Sequence, residues 1–259
     1  MPDDRSHDGT AKNGGTRTGK MPGILVVSGG HDDVTRVLDY YAECYARDAG
    51  SDGATHVRAL DAASIHEALR SNRDAAVFFF LHGRLKPPGV VVGQLQEEVI
   101  GRKTADLLRS RIVCGTCYSL NGLATMAVAR GSTVIGYDGE MLVPTKQQWV
   151  QEMKEAALIA QHALTANDDA ASAARKAREA YLALADTWFG TQTIEGQVHA
   201  AAANANSDAI GVKGTGSARL LPMKSEKRGH GRTKEEGKGA KRYGEEAGGG
   251  SERQLKPAG

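Results

Sequence analysis

The chain contains no stretch of about 18 consecutive apolar residues, so no membrane-spanning helix is expected. Met1 to Lys20 lacks the apolar core of a secretory leader. Cysteine is scarce: Cys44, Cys114 and Cys117 are too few and too unevenly spaced for a disulfide framework. Free thiols in a reducing, cytoplasmic setting are therefore the expectation. No repeat of solenoid length occurs. No second C-x-x-C and no H-x-x-x-H accompanies Cys114-Gly115-Thr116-Cys117, which speaks against a structural zinc site.

Positive charge is short in the body of the chain and concentrated at its end. Residues 213–259 hold 12 Lys/Arg against 6 Asp/Glu, whereas residues 1–212 hold 21 against 25. The slightly acidic body gives no global reason to bind nucleic acid. The tail has little aromatic interleaving beyond Tyr243, so specific nucleic-acid recognition is not expected either. Charge alone would let it touch nucleic acid, anionic lipid or a protein partner. Composition divides the chain into a disordered segment at 1–20, a folded domain over 21–190, an Ala-rich extension of ambiguous structure over 191–212, and a disordered low-complexity tail over 213–259.

What is present is an alternation of short apolar runs and helical patterns. Gly23 to Ser28 reads as a buried parallel strand ending in Gly29-Gly30. Val34, Val37, Leu38 and Tyr41 recur at helical spacing, with Asp32 or Asp33 as N-cap. Thr55 to Leu60 predicts a peripheral strand and Asp61 to Ser71 a short helix. Val77 to Leu81 is a buried strand, and Val90 to Gly93 a short strand or hairpin arm. Gln94 to Ser110 reads as largely helical. Ile112-Val113 opens the next strand, Asn121 to Arg130 a helix, and Gly131 to Tyr137 a further strand. Helices are expected over Gln147–Leu164 and Ala170–Trp188, the latter capped by Asn167 or Asp168. This order predicts an α/β fold around a mostly parallel sheet.

Two strand ends carry the chemistry. The Phe-rich run ends in His82-Gly83, and the next buried run opens into Cys114-Gly115-Thr116-Cys117-Tyr118-Ser119. If these strands are parallel neighbours, an imidazole and a thiol emerge at one sheet edge as base and nucleophile. Cys117 falls where strand turns to helix, and a helix N-terminus lowers a thiol pKa. The plainer readings are a strand-end histidine bonded to a neighbour and a buried apolar cysteine, a role that suits Cys114 better than Cys117.

Leu81-His82-Gly83 followed by Gly115-Thr116-Cys117-Tyr118-Ser119 resembles the histidine and cysteine blocks of caspase-like (clan CD) cysteine peptidases, in the bacterial CHAT and gingipain-like branches. The similarity spans roughly Gly23 to Phe189, and Cys114 is a departure, since the family usually has one Cys in the block. The resemblance implies a caspase-like three-layer α/β sandwich and a dyad of Cys117 as nucleophile and His82 as base. It also implies an oxyanion site from the backbone N–H groups of Gly83 and Cys117, a protein or peptide substrate, and chemistry that needs no metal or organic cofactor. Asp138 and Glu140 follow one strand, and His31-Asp32-Asp33 another. These four acids are candidates for binding a basic side chain, so cleavage after Arg or Lys is expected. In the plainer alternative, Asp32 or Asp33 caps its helix and Asp138 belongs to a turn.

Other readings stay open at this level. Cys114-Gly115-Thr116-Cys117 matches a thiol–disulfide redox motif, and Val143-Pro144-Thr145 matches a segment of such proteins. A glutamine-amidotransferase-like elbow would need a later histidine, His162 or His199. An inactive caspase-like scaffold would serve as an interaction module.

Overall fold

The strand-and-helix alternation folds around one central sheet. The structure is a computed structural model and describes residues 23–50, 53–115 and 117–220. Among the described residues the strands are β1 (Ile24–Ser28), β2 (Ala54–Arg58), β3 (Ala76–Phe80), β4 (His82–Arg84), β5 (Gly89–Val92), β6 (Glu97–Ile100), β7 (Ile112–Cys114), β8 (Thr133–Tyr137) and β9 (Ile210–Lys213). The helices are α1 (Asp33–Ala49), α2 (Ala62–Ser71), α3 (Leu123–Ala127), α4 (Gln147–Thr165), α5 (Ala170–Phe189) and α6 (Ile194–Ala209). Six strands form a mixed, mostly parallel sheet in the order β2-β1-β3-β7-β8-β9, and β4-β5-β6 form a small antiparallel sheet. Among the described residues, β9 is the one strand of the six-stranded sheet that runs against its neighbour, β8.

The continuous apolar runs are explained by burial on both faces of the sheet. Val26, Phe78, Phe80 and Ile135 point to one cluster, with Leu38 and Tyr41 of α1, Met153 of α4 and Tyr181 and Trp188 of α5. Leu25, Val27, Val77, Phe79 and Val113 point to the other, with Ile65 and Leu69 of α2, Leu123 of α3 and Val90 and Val92 of β5. Removing each such large side chain from water stabilises the fold by about 1.5–3 kcal/mol. The helices are positioned by their caps. Asp32 closes a capping box with Thr35 at the start of α1, and Asp61 accepts from the Ser64 N–H at the start of α2.

Three regions differ from the sequence expectation. Gln94 to Ser110 is not a helix. It contains strand β6 and a single tight turn of helix at Ala105–Leu108. Val99 and Ile100 are fully buried: Ile100 pairs with Val90 of β5, and Val99 falls at a shift of register between Ile100 and Glu98, where adjacent apolar residues can both be covered. The cap of α5 is Asp169, which accepts from the Ser172 N–H at 2.8 Å. Asn167 instead takes a positive φ of 69°, and Asp168 pairs with Lys176 at 2.7 Å. The ambiguous stretch 191–212 forms α6 and most of β9. The folded structure continues through Leu220, past the boundaries at 190 and 213: Ala218 and Leu220 pack on the first cluster, and the Ala170 N–H donates to the Ala218 carbonyl at 2.9 Å. The disorder expected for 1–20 and for the tail beyond 220 lies outside the described residues. Among the described residues, no helix is long and apolar enough to cross a membrane.

Candidate functional site

Parallel pairing brings three strand ends together. β1 pairs with β3, and β3 with β7, so His31-Asp32, His82-Gly83 and Cys117 leave the sheet at one edge. His82 lies in β4, where it pairs with Val91. This small sheet fixes the backbone on which the imidazole stands.

The turn that presents Cys117 depends on two glycines. A Cβ on Gly115 would land on Ser119 Cβ, and one on Gly136 would land on Ser119 Oγ. Ser119 therefore folds into the space both glycines leave, where its hydroxyl accepts the Tyr137 N–H at 3.0 Å. The next backbone bonds tie the turn to β8 and the loop after it: Tyr118 N–H to the Gly139 carbonyl at 2.7 Å and Leu120 N–H to the Tyr137 carbonyl at 3.0 Å. Tyr118 holds a positive φ of 53°, a strained conformation of the kind that clusters at functional sites.

One backbone donor faces the Cys117 sulfur: the Met141 N–H donates to Sγ at 3.2 Å. Burial pushes the thiol above its ordinary value. The backbone N–H groups of Met141, Cys117 itself and Gly83 act against that shift, and the Glu140 carboxylate adds to it. This corrects the expectation of a helix-lowered thiol. The next helix, α3, begins only at Leu123, and the sulfur sits beneath Met141 instead of at a helix end. A thiol of this kind needs a base at the moment of attack, because it does not stand as a thiolate.

His82 is the residue before Gly83, so the imidazole and the thiol share the edge. Its Nε2 lies 2.7 Å from Asp32 Oδ2. Asp32 also accepts the Thr35 N–H at 2.7 Å and the Thr35 hydroxyl at 2.8 Å. Burial acts to raise its pKa, but the hydrogen bonds from Thr35 and His82 outweigh it and hold the carboxyl well below the usual carboxylate range. An ionised carboxylate only accepts hydrogen bonds, so His82 Nε2 carries the proton and Nδ1 is left to exchange one.

No family model and no curated protein matches the chain.

The four acids take separate places. Asp32 is engaged by His82 and by its helix, which corrects its assignment to a substrate's basic side chain. Asp33 pairs with Arg36. Asp138 and Glu140 are exposed on the loop after β8, and Glu140 accepts from the Tyr118 hydroxyl at 3.1 Å. Arg84, beside the imidazole in sequence, pairs with Glu98 at 3.1 Å.

The alternative chemistries meet obstacles. All three cysteines are free. Cys114 is enclosed in the first core cluster, where burial pushes its thiol well above the ordinary value, the reverse of what thiol exchange requires. His162 packs against Tyr45, 5.2 Å between ring centroids, and His199 against Trp149 at 4.6 Å. Neither stands beside Cys117 as an amidotransferase base would.

Sequence reasoning missed three participants. Met141 contributes through its backbone, which no side-chain motif reveals. Asn206 of α6 is fully buried and clamps Leu142, accepting its N–H at 2.8 Å and donating to its carbonyl at 2.7 Å. That clamp fixes the residue next to the Met141 donor. His31 stands edge-on to His82, 5.4 Å between ring centroids.

Proposed function

We propose that the protein is a caspase-like cysteine endopeptidase in which Cys117 is the nucleophile, His82 the general base and Asp32 the group that orients the imidazole. The observation that carries this reading is a partly exposed cysteine whose sulfur accepts the Met141 N–H at 3.2 Å, at the same end of the sheet as a histidine held by a carboxylate at 2.7 Å. Backbone donors stabilise negative charge as it develops.

In this mechanism His82 Nδ1 takes the thiol proton as Sγ attacks the scissile carbonyl carbon. The tetrahedral oxyanion is held by the N–H groups of Gly83 and Cys117. Its collapse breaks the C–N bond, and the imidazolium, steadied by Asp32, gives its proton to the leaving amine. Water, deprotonated by His82, then hydrolyses the thioester and restores the thiol. A peptide with Arg or Lys before the cleaved bond is the preferred substrate, with Asp138 and Glu140 supplying the negative charge near the sulfur.

A library of fluorogenic peptides varied at the cleaved position tests this. Hydrolysis after Arg or Lys that disappears in Cys117→Ala is the expected result. Preference for Asp, Asn or an apolar residue sinks the specificity. Absence of any hydrolysis sinks the peptidase reading in favour of an interaction module.

A further inference from the structure

Two imidazoles converge on a single carboxylate oxygen at the mouth of the candidate site. His31 Nε2 lies 3.3 Å from Asp32 Oδ2 and His82 Nε2 lies 2.7 Å from the same oxygen. One ligand atom from each residue falls within 4.8 Å of the other two. In a tetrahedral zinc site with bonds of about 2.0–2.1 Å, ligand atoms stand about 3.3 Å apart. Two of the three separations, 3.3 and 2.7 Å, are close to that spacing and the third is within 4.8 Å, so a cation would need modest side-chain shifts.

The three groups are held in place from behind. Asp32 is fixed by its capping box. The His31 side chain is 8% exposed, with Nδ1 3.5 Å from the Thr35 hydroxyl. His82 stands on the hydrogen-bonded strand β4. The Asp32 side chain is 43% exposed, which leaves an open side for a water as fourth ligand. Two imidazole nitrogens and one carboxylate suit zinc and its transition-metal neighbours, whereas magnesium and calcium favour all-oxygen sets.

We propose that His31, Asp32 and His82 form a reversible site for a zinc-class divalent cation, and that occupancy silences the peptidase. A neutral imidazole has one lone pair. With the cation on His82 Nε2, the proton formerly there resides on Nδ1, so the ring cannot accept the thiol proton. The binding half stands on the three side chains alone; the silencing half rests on the peptidase reading.

The test uses the full chain carrying Cys117→Ala, which removes the one partly exposed thiol among the described residues. Zn²⁺ is titrated against a chromophoric competing chelator. One equivalent is expected to bind, and adding His31→Ala is expected to weaken it by at least about tenfold. His31→Gln serves as a second variant that preserves volume. Loss of binding with Cys117→Ala alone, or unchanged affinity in both His31 variants, overturns the site. In the wild-type chain, Zn²⁺ should inhibit peptide hydrolysis reversibly, at the concentration that fills the site, and His31→Ala should raise that concentration about tenfold. Equal inhibition of wild type and His31→Ala overturns the silencing. A metal-free wild-type chain that hydrolyses nothing, yet binds Zn²⁺ through His31, removes the peptidase reading and keeps the site.

Discussion

Two clusters of closely related side chains flank the first strand, and they differ in access and in the direction of their hydrogen bonds. At the open edge stand Cys117, His82 and Asp32. On the other side Ser28, His56 and Asp39 form a set with the composition of a serine-hydrolase triad. Ser28 Oγ donates to Asp39 Oδ1 at 2.6 Å, and His56 Nε2 lies 2.7 Å from that hydroxyl. The hydroxyl's single proton is spent on the carboxylate, so His56 must donate to the oxygen and has no lone pair aimed at it. Arg58 also pairs with Asp39 at 2.6 Å, and Ser28 is 0% exposed, so no substrate carbonyl can reach it. At Cys117, by contrast, the Met141 N–H donates to the sulfur at 3.2 Å and the thiol faces no carboxylate, only the Met141 carbonyl at the long distance of 3.9 Å. Access and the direction of hydrogen bonds separate the two clusters; residue type does not.

The largest expected effect comes from exchanging the two nucleophile candidates for alanine. Cys117→Ala should cost about 10⁴-fold or more in peptide hydrolysis with little change in melting temperature. Ser28→Ala should leave hydrolysis intact and lower stability by about 1–3 kcal/mol, because Asp39 and His56 lose a buried partner. Equal loss of activity from both substitutions would erase the distinction.

Asp32→Asn sharpens it next. Asn caps helices as well as Asp does, so α1 should survive. The imidazolium loses its charge partner, and kcat should fall about a hundredfold. An unchanged kcat would reduce Asp32 to a helix cap. Asn206→Ala should act more weakly and at a distance. Freeing the two Leu142 backbone groups is expected to cost about 1–3 kcal/mol of stability and about tenfold in kcat through a loosened Met141 donor. Full kcat in a folded Asn206→Ala protein would show that the clamp is structural only.

The smallest effect is a pH dependence of the closed cluster. Burial lowers the His56 pKa, with Arg58 pushing the same way and Asp39 and Glu43 opposing. As pH falls below the ordinary value of 6.5, the unfolded chain therefore binds a proton before the folded one does. Stability should decline through that window, and His56→Gln should flatten the decline in urea midpoints measured from pH 7 to 5. A slope identical in both proteins would assign it to other groups.

The parts legible in the sequence are those set by local pattern. The buried runs at Ile24, Phe78, Ile112 and Thr133, an aspartate cap at Asp32 or Asp33, and the histidine and cysteine at two strand ends all show in a single pass. What escaped depends on distant pairing. Asp32 meets His82 across 50 residues of chain because β1 and β3 are neighbours, so a residue legible as a helix cap or a substrate-binding acid becomes the imidazole's partner. Asn206 has low helix propensity, yet within α6 it faces Leu142, 64 residues away. Val99-Ile100 reads as helix in its polar surroundings until β5 is beside it. The lowered thiol failed for a related reason: α3 begins only at Leu123, six positions beyond Cys117, which is enough to move a helix end away from the sulfur.

The central claim is that Cys117 attacks with His82 as its base. It is tested most directly by mapping the adduct of an arginyl chloromethyl ketone and timing its formation in wild-type and His82→Ala chains. The account predicts a single adduct on Cys117, formed far more slowly without His82, with Cys44 and Cys114 unmodified. Labelling of Cys114 or Cys44 at a matching rate, or a Cys117 rate indifferent to His82, would contradict it.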